Sequence, residues 1–137
     1  MDLKLSHLKK YKDKRGFLVE FLKPSELSRK GFIQFYSATI KPGKFRGNHY
    51  HRTKDECLVV IQGRVRLIIE DIFTKDHKEI ILNASKEKLP RIKIRANIAH
   101  RVENISKKEA IIIGYSTEIP NPKSKDRWEY KGYDLLK

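Results

Sequence analysis

The sequence predicts an all-β domain, a small barrel or sandwich, and three observations carry that expectation. Eight short apolar runs recur between turn signals along the 137-residue chain, at 17–22, 32–40, 57–62, 65–71, 79–82, 91–94, 100–103 and 110–116. Strands of that length and spacing build closed or stacked antiparallel sheets. Val65, Leu67 and Ile69 alternate with Arg66 and Glu70, the period-two pattern of a strand with one wetter face. Helix signals, by contrast, are confined to about a turn around Pro24-Ser25-Glu26-Leu27-Ser28, and there is no repeat, coiled-coil pattern or low-complexity tract.

Taken in order, the runs define the strands and the turns between them. Phe17-Leu18-Val19-Glu20-Phe21-Leu22 is apolar enough to be an edge hazard unless something covers it. The run at 32–40 stops at Pro42-Gly43, a dipeptide that favours a tight turn before the next strand. That strand carries His49 and His51. After it, Arg52-Thr53-Lys54-Asp55 is polar and turn-prone, and Glu56 opens the returning strand Cys57-Leu58-Val59-Val60-Ile61. Gln62-Gly63 closes a hairpin into 65–71, and a turn at Lys75-Asp76 precedes 79–82. The strands at 91–94, 100–103 and 110–116 complete the set.

The chemistry lies in the spacing Gly43-x5-His49-x-His51-x4-Glu56-x6-Gly63, with His100-x3-Asn104 downstream. Residues two apart on a strand project to one face, so His49 and His51 can share a ligand, and a hairpin returns Glu56 beside them. A lone His-x-His is common and means little. Three imidazoles and a carboxylate with turn glycines at both ends are more specific, and they make His49, His51, Glu56 and His100 the candidate metal ligands. Imidazole and carboxylate suit zinc, the first choice, or iron, manganese, nickel or cobalt. With no thiolate in the set, a catalytic-type site is expected rather than a structural zinc finger.

The segment 43–63 matches the first motif of the cupin superfamily, and Arg95-Ala96-Asn97-Ile98-Ala99-His100-Arg101-Val102-Glu103-Asn104 resembles the second, with Arg95 in place of a proline and Asn97 in place of a glycine. Asn tolerates a left-handed backbone better than most residues, so the turn can survive. Phe45-Arg46-Gly47-Asn48-His49-Tyr50-His51 is similar to nucleotide-sugar cupins: deoxyhexulose 3,5-epimerases, sugar 3,4-ketoisomerases and, above all, the C-terminal cupin half of capsular-polysaccharide epimerase/reductases. Pro42, Gly43, Arg46, Gly47, His49, Tyr50, His51, Thr53, Lys54, Glu56, His100 and Asn104 match that last pattern, and the likeness covers about residues 33–118. No Gly-x-Gly-x-x-Gly is present, so no reductase half is expected.

The resemblance implies a single double-stranded β-helix, the cupin jelly-roll barrel. It implies a nucleotide-linked 4-keto sugar as substrate, 3-epimerase or ketoisomerase chemistry in surface polysaccharide synthesis, and a homodimer built through the N-terminal strand. Rhamnose-pathway epimerases use the histidine of Arg-Gly-x-His-Tyr-Gln as a base without metal. Here His51 stands at the Gln position and Glu56 follows at metal spacing, which favours His49 as ligand over His49 as base. Arg46 is then a candidate electrophilic donor, and Tyr36, Tyr50, Tyr115 and Lys54 are candidates for the base, although strand tyrosines are more often packing residues. A non-catalytic barrel holding a sugar or small anion, or a metal-dependent dioxygenase, would use the same constellation.

Residues 1–119 are assigned to the barrel with its N-terminal strand arm, and 120–137 to a tail with spaced aromatics, including Trp128 and Tyr130, that packs on the barrel or a partner or else frays. Asn104 is expected to tie backbone near His100, and His7 and His77 to be surface residues. Cys57, the only cysteine, is read as a packing residue, which excludes an internal disulfide and suits a cytoplasmic protein. No apolar stretch approaches a membrane span or a signal h-region, so no membrane partner is expected. The net charge of +14 comes from 31 Lys and Arg interleaved with 17 Asp and Glu. That patterning reads as a solvated surface first and a basic rim for a diphosphate second. Nucleic acid is set aside for want of any binding motif.

Overall fold

The computed structural model describes residues 1, 3–14, 16–22, 26, 34–116 and 126–132. Twelve strands occur among them: β1 (Lys4–Leu8), β2 (Tyr11–Asp13), β3 (Gly16–Leu18), β4 (Gln34–Ile40), β5 (Phe45–His51), β6 (Glu56–Gln62), β7 (Arg64–Asp71), β8 (His77–Asn83), β9 (Leu89–Ile94), β10 (Ile98–Asn104), β11 (Ala110–Ser116) and β12 (Arg127–Glu129). Two antiparallel five-stranded sheets, ordered β1-β9-β6-β11-β4 and β12-β5-β10-β7-β8, form the jelly roll, and β2-β3 is a separate hairpin. No helix among the described residues is long and apolar enough to cross a membrane.

Alternation along the strands builds the core. Leu58, Val60, Ile92 and Ile112 from one sheet join Val65, Leu67, Ile69, Leu82 and Val102 from the other in a single buried cluster. Each such side chain removed from water contributes about 1.5–3 kcal/mol, which is what holds the two sheets face to face. The other face of β7 is wet at Arg66, as its sequence suggested, but closed further along, where Ile68 is 4% and Glu70 3% exposed. Tyr130 covers them, packing against Ile68 and Ala99 with Tyr50 and donating its hydroxyl to Glu70. A contact made by a residue 60 positions away leaves no trace in the local alternation.

The first apolar run also differs from expectation. Only Gly16–Leu18 is strand, paired with Tyr11–Asp13, and Phe17 and Leu18 stay 52% and 61% exposed. Val19, Phe21 and Leu22 instead pack on the core without strand pairing. The edge position beside β9 goes to β1, Lys-Leu-Ser-His-Leu, which lies outside the eight apolar runs. The turn expected around residues 24–28 lies, apart from Glu26, outside the described residues.

The turn glycines fall where the sequence required them: Gly43 (φ +75°) stands between β4 and β5, Gly63 (φ +88°) between β6 and β7, and Asn97 (φ +67°) accepts the left-handed conformation. Asn104, 2% exposed, donates to the carbonyls of Ile40 (2.8 Å) and Lys108 (2.7 Å) and accepts from the Ser106 amide (2.9 Å) and hydroxyl (2.6 Å). It ties the end of β10 to β4 and to the turn before β11. Asn104→Ala is expected to destabilise the fold by about 2–4 kcal/mol, because it orphans several buried groups at once. A urea midpoint close to that of the parent chain would contradict this.

Candidate functional site

The site begins with a bulge in β5. His49 pairs with His100 on β10, but the next pair is Gly47 with Arg101, so Asn48 is an extra residue on the β5 side. Gly47 and Asn48 take φ +107° and +60°, and a Cβ at position 47 would stand 2.6 Å from the His100 carbonyl oxygen. Only glycine lets β5 approach β10 this closely, and the bulge re-aims the strand that follows. His49 and His51 then share a face and meet His100: ring centroids are 4.6 Å apart for His49–His100, 5.4 Å for His49–His51 and 6.1 Å for His51–His100.

One ring nitrogen from each of the three imidazoles lies within 4.8 Å of the others. Two of the rings have a defined tautomer. His51 Nδ1 is 3.1 Å from Asp126 Oδ2, and His100 Nδ1 is 3.3 Å from the Ile98 carbonyl. Both partners accept, so Nδ1 carries the proton and Nε2 keeps its lone pair. Burial, reinforced by neighbouring imidazoles, holds His49 and His100 down to about 4, and burial, with Lys54 nearby, lowers His51 as well. All three rings are therefore neutral near pH 7, the protonation state that a metal ligand needs.

Glu56 opens β6 beside this cluster. Its Oε2 is 3.6 Å from His51 Nε2 and 3.8 Å from Lys54 Nζ, and its Oε1 accepts the Tyr36 hydroxyl at 2.5 Å. Three neutral imidazoles, an adjacent carboxylate, and acceptors fixing the far nitrogens of His51 and His100 form a donor set that fits a divalent cation. The cluster lines a cavity of about 1200 Å³ that Ala38, Leu58, Val102 and Ile112 also line.

The other candidates divide between the cavity and its exterior. Arg46 lines the cavity with its Nε donating to the Thr39 carbonyl at 2.8 Å, and Lys54, 7% exposed, donates to Gln34 Oε1 at 2.8 Å. Tyr36 also lines the cavity. Burial and the adjacent Glu56 charge push its hydroxyl well above the ordinary value, so it stays protonated near neutral pH. Tyr50 and Tyr115 are not among the lining residues. Tyr50 falls on the opposite face of β5 from His49 and His51, packed against Tyr130, as strand alternation requires. Tyr115 stacks on Phe35 and donates to the Phe21 carbonyl at 2.9 Å, and burial raises its hydroxyl to about 12.

Tyr36 reaches Glu56 only because its partner across the strands is Gly114: a Cβ there would stand 2.1 Å from the Tyr36 ring. Gly114→Ala is expected to expel the ring, break the Tyr36–Glu56 bond and cost about 1–3 kcal/mol. In that background Tyr36→Phe should have no further effect on stability. A full additional loss would show that the tyrosine had stayed in place.

Sequence reasoning missed the contribution of β12. It pairs with the edge of β5, Arg127 opposite His51 and Glu129 opposite His49, and both side chains line the cavity. Asp126, just before it, is the buried partner of His51. Three residues are too few for a periodic signal. The available hint was the spacing of Trp128 and Tyr130, which places both on one face of an extended segment.

Residues 11–128 match the family described as the polysaccharide biosynthesis C-terminal domain. The chain is 28% identical over 118 residues to the UDP-2-acetamido-2,6-beta-L-arabino-hexul-4-ose reductase of Pseudomonas aeruginosa, covering 86% of this chain and 30% of that protein. Among solved structures it resembles the capsular polysaccharide assembling protein CapF of Staphylococcus aureus (TM-score 0.65, 26% identity, 90% of this chain and 34% of that one). It therefore spans about a third of these two proteins. A 3,4-ketoisomerase from Helicobacter canadensis shares the fold along nearly its whole length (TM-score 0.74, 22% identity, 99% of this chain and 95% of that one).

Proposed function

The chain belongs to the polysaccharide biosynthesis C-terminal domain family, and from that premise we propose that it is a metal-dependent isomerase of a nucleotide-linked 4-keto sugar, of the 3-epimerase or ketoisomerase type. The observation that carries this reading is the cluster of three neutral imidazoles, with Glu56 and the Tyr36 hydroxyl beside it, in the lining of a cavity large enough for a sugar. Such chemistry removes a proton from the carbon next to a carbonyl and must stabilise the negative oxygen that results. His49, His51, His100 and Glu56 would hold the ion. When bound, a divalent ion there would supply Lewis-acid polarisation of the ketone.

The remaining roles belong to the chain's own groups. Lys54 and Arg46 bring positive charge to the cavity, suited to a developing oxyanion and to an anionic diphosphate. Tyr36, held protonated and bonded to Glu56, can hydrogen-bond a sugar oxygen and orient the carboxylate. The apolar wall of Leu58, Val102 and Ile112 limits water around the reacting carbon. The reading includes a homodimer. β4 is the outermost strand of its sheet, with Phe35 50% exposed on it, whereas the N-terminal strand expected to reach the partner, β1, pairs with β9 of its own chain. A monomeric mass by sedimentation would remove that element alone.

The test is elemental analysis of protein purified without chelators, joined to solvent-deuterium incorporation into UDP- and dTDP-linked 4-keto sugars. Near-stoichiometric metal and deuterium beside the carbonyl are the expected results. Bound metal with no exchange in any sugar would leave a binding barrel, and absence of metal would return His49 to the role of base.

A further inference from the structure

We propose that Asp126 is a positioning residue: it locks His51 in the Nδ1–H tautomer, turns the Nε2 lone pair into the cavity, and so makes the segment entering β12 a working part of the site. The inference rests on the imidazole cluster being that site, whether the lone pair holds a metal or takes a proton.

The carboxylate is 8% exposed and its two oxygens do different things. Oδ2 faces His51 Nδ1 at 3.1 Å. Oδ1 accepts from the Arg52 amide (3.1 Å), the Thr53 amide (2.8 Å) and the Thr53 hydroxyl (2.6 Å). Three donors on the turn after β5 therefore fix the carboxylate plane. A second set of contacts fixes its position along the chain: Arg127 pairs with His51, and the Arg52 guanidinium lies 4.1 Å over the Trp128 ring. An ionised carboxylate can only accept, so the ring proton resides on Nδ1 and the free lone pair on Nε2, the nitrogen 3.6 Å from Glu56. A carboxylate on the far nitrogen of an imidazole is the arrangement that orients metal ligands and raises their basicity.

The same geometry predicts an unusual mutant. In Asp126→Asn, the three donors around Oδ1 demand the amide oxygen, which leaves the NH2 group facing Nδ1. There it can only donate, so the ring proton must move to Nε2 and the lone pair leaves the cavity. The isosteric change should thus harm the site more than truncation does. Asp126→Ala removes both oxygens and frees the tautomer without inverting it.

The experiment uses the metal-free chain with 15N-labelled histidine, reads ring tautomers by NMR near neutral pH, and measures zinc affinity by chelator competition. The wild type is expected to show His51 as Nδ1–H and Asp126→Asn as Nε2–H, with zinc affinity reduced about 10–100-fold. Asp126→Ala should show a smaller loss of affinity yet the lower thermal stability, since it alone strips the Thr53 and Arg52 bonds. An Asn variant that keeps the Nδ1–H tautomer, an affinity order that follows stability, or an Asn variant that fails to fold would each overturn the proposal and leave Asp126 a loop tie. A wild type that binds no zinc would end the metal reading, while the tautomers would still decide this one.

Discussion

His100→Leu is expected to abolish tight zinc binding while leaving the barrel folded. His100 is 3% exposed on β10, opposite His49 on one side and Ile69 on the other, and a leucine of similar bulk fills its place without adding a polar group. The substitution forfeits the hydrogen bond to the Ile98 carbonyl, 3.3 Å long, for about 1 kcal/mol. The effect on the metal is far larger. A binding free energy of about 10–16 kcal/mol shared over four ligands assigns some 3 kcal/mol to each, so losing one should weaken zinc at least about 100-fold. Titration calorimetry against zinc, beside a far-ultraviolet melt, separates the two quantities. Wild-type affinity in a folded leucine variant would remove His100 from the ligand set and, with it, the reading of the cluster as a metal centre.

Acid should destabilise the metal-free protein through the same residue. The folded state holds His100 at about 4, chiefly by burial, whereas an unfolded histidine titrates near 6.5. Between those values the unfolded chain binds the proton and the folded chain does not. Stability is thus fully present above pH 6.5, falls as pH drops, and has lost the whole contribution below about 4. For His100 alone the loss is about 3 kcal/mol. His49 and His51, also lowered, act in the same direction. Urea unfolding at several pH values across this window should show the decline in the parent chain and a shallower one in His100→Leu. Bound zinc should raise stability at neutral pH and make the decline with acid steeper, because the zinc-bound rings take up no proton until the ion is displaced whereas the unfolded chain does. Equal slopes for parent and leucine variant would mean that the buried imidazole is not what acid attacks.

The two results bear on different parts of the sequence reading. The spacing of His49, His51, Glu56 and His100 was legible because strand alternation and a hairpin are local rules, and the structure brings the three histidines together with Glu56 beside His51 in the lining of one cavity. The turn glycines were legible for the same reason, since a positive φ is a property of the residue and its immediate neighbours. Catalytic roles were less so. Tyr50 sits between His49 and His51 in sequence and is on the other face of the sheet, while Tyr36 is on a different sheet and touches Glu56 through a gap that Gly114 leaves open. Which tyrosine enters the cavity depends on register between strands far apart in the chain.

What the sequence determined by itself was therefore the all-β class, the turns, and the convergence of His49, His51 and His100, because periods of two and the backbone freedom of glycine act within a few residues. Only the tertiary structure decided that β5 carries a bulge beside His100, that Glu70 is buried beneath Tyr130, and that Asp126 and β12 complete the site. Each of these joins segments some 50 or more residues apart. Such contacts follow from the packing of two sheets and the docking of a short strand on an open edge, and neither leaves a local pattern to read.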